Sequence, residues 1–287
     1  MGRAFTYDDL IAKQVPDQRD FDIVSDVFKA HIQEAIDANL VHGALVYGSV
    51  GAGNPGPRSD KDVLAVHDGS DEGFEVVRFV VAASSQAVES RIPIHAISYS
   101  ADVLSSGNHE IDRFFGEHLT KGKRLVYGTD PAEYLRHADS PAYFIFEEYL
   151  RNKIRRLADA YVSPDPTKEL EGIQRLLEAP LATGRKLGQV LDELEGTERI
   201  SVQNGDKQSM TFAVLTIFEK LGVYEPAAKI LAADADYSVQ MVRVMNGEMS
   251  RKDYEDYIAE LRSLLIHGIR WLNAVDIAFG EQTAKFR

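Results

Sequence analysis

Two aspartates stand two residues apart in Ser59-Asp60-Lys61-Asp62-Val63, at the start of an apolar run that ends at Val66. Side chains alternate along a strand, so Asp60 and Asp62 share one face while Lys61 and Val63 take the other. Carboxylates that converge in this way repel each other unless a proton or a cation comes between them. Hard oxygen ligands at this spacing suit Mg²⁺, or Mn²⁺, shared with the phosphates of a substrate. The same Asp-x-Asp, taken alone, is also what a polar strand end beside a loop looks like.

Its setting favours the chemical reading. Leu45, Val46 and Tyr47 are strand formers that run into Gly48-Ser49, where a missing side chain admits a ligand to the backbone and a hydroxyl can contact it. Gly51, Gly53, Pro55, Gly56 and Pro57 then prevent helix or strand from continuing until Arg58, and a second strand begins near Asp60. Strand, Gly-Ser, a Gly/Pro loop and Ser-Asp-x-Asp in that order form a much rarer pattern than any of its parts.

Gly48-Ser49 followed by Ser59-Asp60-Lys61-Asp62-Val63 resembles the signature of the DNA polymerase beta-like nucleotidyltransferase superfamily. The resemblance implies that Asp60 and Asp62 hold divalent ions, and that Gly48, Ser49, Arg58 and Ser59 bind the phosphates of a nucleoside triphosphate such as ATP. It also implies a reaction: transfer of a nucleoside monophosphate to an acceptor hydroxyl, with release of pyrophosphate. Members of this superfamily usually carry a third carboxylate on a following strand. Here the matching register, Ile92-Pro93-Ile94-His95, supplies a histidine. His95 is therefore either a third metal ligand or a structural histidine, and a catalytically weakened or inactive nucleotide-binding protein is the alternative reading. Kanamycin-type nucleotidyltransferases, which the layout resembles, take their general base from a glutamate of the helical domain, and Glu147 matches it by position.

The elements that must position these groups follow from periodicity. Asp17 to Leu40 carries Phe21, Val24, Val27, Phe28, Ile32 and Ile36 at helical spacing, which predicts an amphipathic helix against the sheet. Helices are also expected over 71–90 and 109–120. Ile92 to Tyr99 alternates as a strand that Pro93 confines to an edge or a strand start. Arg124 to Gly128 predicts a short strand before a turn. From Pro141 the strand signals vanish, and helices are expected over 141–162, 166–178, 181–195, 206–221, 225–246 and 250–279, with Pro164, Pro166, Pro180 and Gly205 between them. The fold class is thus α+β: a nucleotidyltransferase-like mixed sheet with flanking helices over residues 1–138, then an all-α helical bundle over residues 139–287 for substrate or partner. Residues 1–16 carry no assigned role.

Within the first helix of the bundle, Tyr143, Leu150, Ile154, Leu157 and Tyr161 make one stripe, with Glu147 at its border and Glu148 facing away toward Arg155. A carboxylate beside an apolar seam can be raised toward the range useful to a general base, and a boundary Glu147 paired with Arg151 is the plainer reading. Arg151, Lys153, Arg155 and Arg156 form a basic run that either steers triphosphate or is a solvated face. Arg262 and His267 match the Arg-x4-His pattern of HEPN ribonucleases. Residues five apart on a continuous helix are separated by about 140°, so this minor alternative requires a helix break.

The chain has 287 residues, a formal net charge of −13 and no cysteine. Disulfides, zinc-thiolate sites and thiol nucleophiles are excluded. The negative charge disfavours long nucleic acid as a partner and favours a small-molecule or protein acceptor. Neither a signal-peptide core nor a run long enough for a membrane span occurs, so the expected location is the cytoplasm, with no membrane partner. The sequence is compatible with a homodimer.

Overall fold

The computed structural model describes residues 4–137, 139–196 and 207–284. They form two compact units, one made of Gln14–Asp139, the other joining Ala4–Lys13 to the chain from Ser140 onward. The chain opens with helix α1 (Tyr7–Ile11), where Thr6 and Asp9 cap each other's backbone N–H groups. Residues 4–13 therefore belong with the helical unit rather than with the sheet that follows them in sequence. Two anticipated landmarks, Ala138 and Gly205, lie outside the described residues.

The first unit is built on a four-stranded mixed sheet. Helix α2 (Gln18–Asp37), capped by Asp17, leads into β1 (Val41–Tyr47), the single turn α3 (Gly48–Gly51) and β2 (Lys61–His67). Helix α4 (Asp71–Gln86), capped by Ser70, connects to β3 (Ile94–Ser100), and the short helix α5 (Ala101–Ser106) follows. Helix α6 (Arg113–Lys121) and β4 (Leu125–Gly128) complete the unit. The spatial order is β3-β2-β1-β4, with β1 antiparallel to β2 and β4, and β2 parallel to β3. Pro93 stands just before the edge strand β3, and its carbonyl accepts from Lys61 N–H at 2.9 Å. Helix α6 begins at Arg113, after its cap Asp112, so His109 to Asp112 lie outside the helix that periodicity places there.

Both faces of the sheet are covered. Val46, Val63 and Ala65 pack under Phe21, Phe28 and Ile32 of α2 and Val77 and Val80 of α4. Leu45, Tyr47, Leu64 and Val66 pack on the opposite side with Leu104, Ile111, Leu119 and Leu135. This two-sided burial fixes the register of β2, because a slip of one residue would exchange the two apolar sets. Asp62 is thereby committed to the face of Leu64 and Val66, and Lys61 to that of Val63.

The second unit continues with α7 (Ala142–Val162), α8 (Pro166–Glu195), α9 (Lys207–Lys220), α10 (Tyr224–Met245) and α11 (Arg251–Thr283). Pro180 does not divide α8, contrary to the break expected between 178 and 181. A proline inside a helix costs roughly 3 kcal/mol through a lost hydrogen bond and a carbonyl clash. Ile173, Leu176 and Leu177 before it and Leu187 and Val190 after it are all buried, and each fully buried side chain of this size contributes about 1.5–3 kcal/mol. Packing on both flanks outweighs the local penalty.

Candidate functional site

The end of β1 sets the first wall. Gly48 takes φ +70, a left-handed conformation, and a Cβ there would lie 3.0 Å from Asp62 Oδ2. The glycine thus turns the chain and leaves room for the carboxylate that leans over it. Tyr47, the registered partner of Asp62 across the β1–β2 pair, is buried on the same side. Burial first, and then the negative charge of Asp62, raise the Tyr47 phenol above its ordinary range, so this hydroxyl stays protonated.

The Gly/Pro loop is closed by serines. Ser49 Oγ donates to Ser59 Oγ at 2.8 Å, and Gly56 N–H donates to the same oxygen at 2.9 Å. Ser59 N–H returns a bond to the Gly56 carbonyl at 2.9 Å. The two serines singled out from sequence as phosphate binders are therefore brought together ten residues apart, and they fix the loop that delivers Asp60. Ser59 Oγ accepts twice, which leaves its own proton available to an oxyanion. Arg58 is half-buried within the same loop.

Asp60 is buried and Asp62 half-buried, on the two sides of Lys61. His95 is registered opposite Asp62 in the parallel β2–β3 pair, so the two side chains share a face. Its Nε2 lies 3.3 Å from Asp60 Oδ2, with the imidazole half exposed at 51% and the carboxylate at 8%. The structure thus brings Gly48, Ser49, Ser59, Asp60, Asp62 and His95 to one end of the sheet. Among the described residues no group of three His, Cys, Asp or Glu stands where it could hold a metal ion by itself. Two carboxylates nevertheless match Mg²⁺, which keeps waters and is held by one or two carboxylates plus substrate phosphates rather than by an all-protein cage.

The residues of the helical unit stand differently. Glu147 is half-buried and Glu148 exposed on α7. The buried stripe of that helix runs through Ala142, Ile145, Phe146, Leu150, Leu157 and Ala160, while Tyr161 is exposed, so the apolar face is rotated from the one periodicity indicates. At Ala160 the reason is the approach of α8: a Cβ at Gly172 would lie 2.3 Å from the Ala160 Cβ, which leaves no room there for a tyrosine ring. Of the basic run, Arg151, Arg155 and Arg156 are exposed and Lys153 is half-buried. Arg262 and His267 lie on an unbroken α11, where Arg262 is 3.5 Å from Glu169 and His267 Nδ1 meets the Ser263 carbonyl of its own helix at 3.0 Å. The break that the ribonuclease reading requires is absent from this described helix.

Sequence reasoning missed two neighbours of the site. His118 and Phe115 of α6 meet the Tyr47 ring at centroid distances of 6.2 and 5.6 Å, both edge-on. No local signal announces them, because they arrive through the packing of α6 on the sheet. Lys61 was legible only in direction: alternation sends it away from the aspartates, and nothing in the sequence says that its ammonium is wholly buried there. Set against family models and against curated proteins, the sequence matches none of either.

Proposed function

We propose that this chain is a metal-dependent nucleotidyltransferase. The observation that supports this most is the Asp62 carboxylate over left-handed Gly48, with Asp60 delivered beside it by a serine-clasped loop. Asp60 and Asp62 would hold the divalent ion, which when bound polarises the α-phosphate and neutralises charge on the leaving pyrophosphate. Ser49, Ser59 and the backbone at Gly48 would orient the triphosphate for in-line attack. The acceptor oxygen forms a bond to the α-phosphorus, the bond to the β-phosphate oxygen breaks, and pyrophosphate leaves. The hydroxyl proton passes to a general base, the role that the resemblance to kanamycin-type nucleotidyltransferases gives to Glu147. Calorimetry with Mg²⁺ and each triphosphate tests the reading on the wild type and on the Asp60→Asn/Asp62→Asn double variant. Metal-dependent triphosphate binding should be lost in the variant with its melting temperature retained, and equal affinity in the two proteins would sink the claim.

One observation favours a second reading, a nucleotide-binding protein without transfer activity. His95 lies against Asp60 where a third carboxylate is expected, and an imidazole adds no negative charge to a magnesium site. His95→Asp separates the two readings. On the transferase reading it strengthens Mg²⁺ binding and speeds pyrophosphate release, whereas a protein built only to bind nucleotide gains metal affinity without releasing pyrophosphate.

A further inference from the structure

The sheet of the first unit ends in two edge strands that differ in how they are protected. β4 spans four residues and follows Lys123 and Arg124, a short edge with basic neighbours of the kind that discourages further pairing. β3 runs for seven residues, Ile94-His-Ala-Ile-Ser-Tyr-Ser100, and none of them is Lys, Arg, Asp or Glu. Its ladder to β2 uses one side of the backbone, and from Ala96 to Ser98 the groups turned away from β2 have no partner among the described residues. Ala96 is exposed and Ile97 and Ser98 are half-buried, so no described element closes over this edge.

Beside the edge lies an exposed stripe of α4. Helix α2 packs over β1 and β4, and α4 over β2 and β3. Phe79 of α4 meets the His31 ring of α2 at 5.3 Å, and Phe74, five residues earlier, is turned about 140° from it, to the flank on the β3 side. The Phe74 ring lies 6.0 Å from that of His67 at the end of β2, and 50% of the residue is exposed. Asp71, Phe74, Arg78, Val81 and Ser85 follow one another at steps of three and four residues and so share this flank. The flank carries one charge of each sign and β3 carries none. In a chain of net charge −13, two copies can meet only where their own surfaces do not repel.

We propose that β3 pairs antiparallel with β3 of a second copy of this chain, centred on Ile97, so that the two sheets run on as one and the α4 stripes meet. An antiparallel pair obeys a two-fold axis, as an isologous dimer requires. Centring on Ile97 is the register that overlaps all seven residues. It sets Ile97 against Ile97 and His95 against Tyr99, aliphatic and aromatic cross-strand pairs with no like charges opposed. A second copy fits better than a lone peptide strand. A peptide would satisfy the backbone and leave Phe74 in water, whereas a copy brings its own α4 over the same face of the sheet. The edge is about 23 Å long and a helix about 10–12 Å across, so including α4 roughly doubles the height of the contact, toward the roughly 800 Å² that each partner of a stable interface buries. The pairing requires neither metal nor nucleotide, so its test is independent of the reaction.

Sedimentation equilibrium on the full chain, in EDTA and without nucleotide, tests the inference. Wild type should form a dimer. Phe74→Lys and Ala96→Lys, both at exposed positions, should each raise the dimer dissociation constant at least tenfold while keeping the circular dichroism of wild type. Phe79→Lys, at a residue 56% exposed on the α2 flank of the same helix, should dimerise as wild type does. The chain has no cysteine, so Ile97→Cys reports the geometry directly. Under mild oxidation it should be trapped as a disulfide-linked dimer, and adding Phe74→Lys should suppress the cross-link. The inference is overturned if wild type stays monomeric, if Phe74→Lys and Ala96→Lys dimerise as wild type does, if Phe79→Lys dissociates the dimer equally, or if the Ile97→Cys dimer does not cross-link.

Discussion

Lys61 is the residue whose placement most constrains the site's surroundings. It has no exposed surface, its Nζ is 3.5 Å from Ser25 Oγ and 4.4 Å from the centre of the Phe28 ring, and burial lowers its pKa to about 7 against a weaker raising influence from Asp26. The unfolded chain holds that proton up to about pH 10.4. The folded state binds fewer protons between these values, so stability rises with pH across the window from about 7 to 10.4. Lys61→Met should therefore add on the order of 2–4 kcal/mol to the unfolding free energy at pH 7, and less at pH 10. Urea melts of both proteins at pH 7 and pH 9.5 check this, and an equal gap at the two values would mean that Lys61 is not buried as a charge. Gly48 makes the complementary case. Gly48→Ala should cost about 1–2 kcal/mol for its left-handed backbone and should also displace the Asp62 carboxylate, weakening Mg²⁺ binding. Gly53→Ala, at φ +74 with nothing within 4 Å, carries the backbone cost alone and should leave Mg²⁺ affinity unchanged. The aspartates and the Gly-Ser turn were legible because period-two alternation and glycine punctuation are local. That His95 would lie against Asp60 was legible only in register; the direction its ring takes depends on the exposed edge strand.

At the level of elements, the sheet unit was readable from strand and helix periods, since each face of β1 and β2 is matched by its own apolar set. The small helices were not: α1 and α5 are too short to show a period, and their local marks are end signals alone, the Thr6–Asp9 capping box of α1 and Ser100 and left-handed Gly107 at the two ends of α5. Continuity of α8 through Pro180 was hidden for the opposite reason, because a strong local breaker is overruled by tertiary contacts that no window of sequence contains. Close helix approach has the same origin. A Cβ at Gly172 of α8 would fall 2.3 Å from the Ala160 Cβ of α7, and neither atom is the movable end of a side chain. Gly172→Ala should improve helix propensity by about 1 kcal/mol and yet destabilise the protein by a net 1–3 kcal/mol through overpacking. Thermal unfolding measures the sign; a rise in melting temperature would show that α7 and α8 can separate at no cost.

Across the whole molecule, the path of the chain matters more than the order of its halves. Residues 4–13 join the helical unit, so the sheet unit is inserted after its first segment rather than placed ahead of it. The attachment is specific. Phe5 is fully buried, its N–H donates to Tyr237 Oη at 3.0 Å, and Tyr254 Oη donates to its carbonyl at 2.8 Å. Burial, together with the neighbouring Tyr237, raises the Tyr254 phenol, which keeps that donor protonated throughout the ordinary pH range. Outside, Arg251 lies over the Tyr7 ring at 4.9 Å and bonds to Asp8, whose carboxyl that hydrogen bond holds below its usual value. The two contacts differ in weight, because exposed ion pairs contribute little while a buried aromatic ring contributes several kcal/mol. Phe5→Ala should therefore cost about 3–5 kcal/mol, whereas Asp8→Asn should change the stability far less. Hydrogen exchange followed residue by residue locates the loss. Amides of α10 and α11 should lose protection in Phe5→Ala while those of β1 and β2 keep theirs, as expected of units that open separately. Equal loss in β1 and β2 would mean that the two units unfold as one, and the segment would then stabilise the entire chain rather than the helical unit alone.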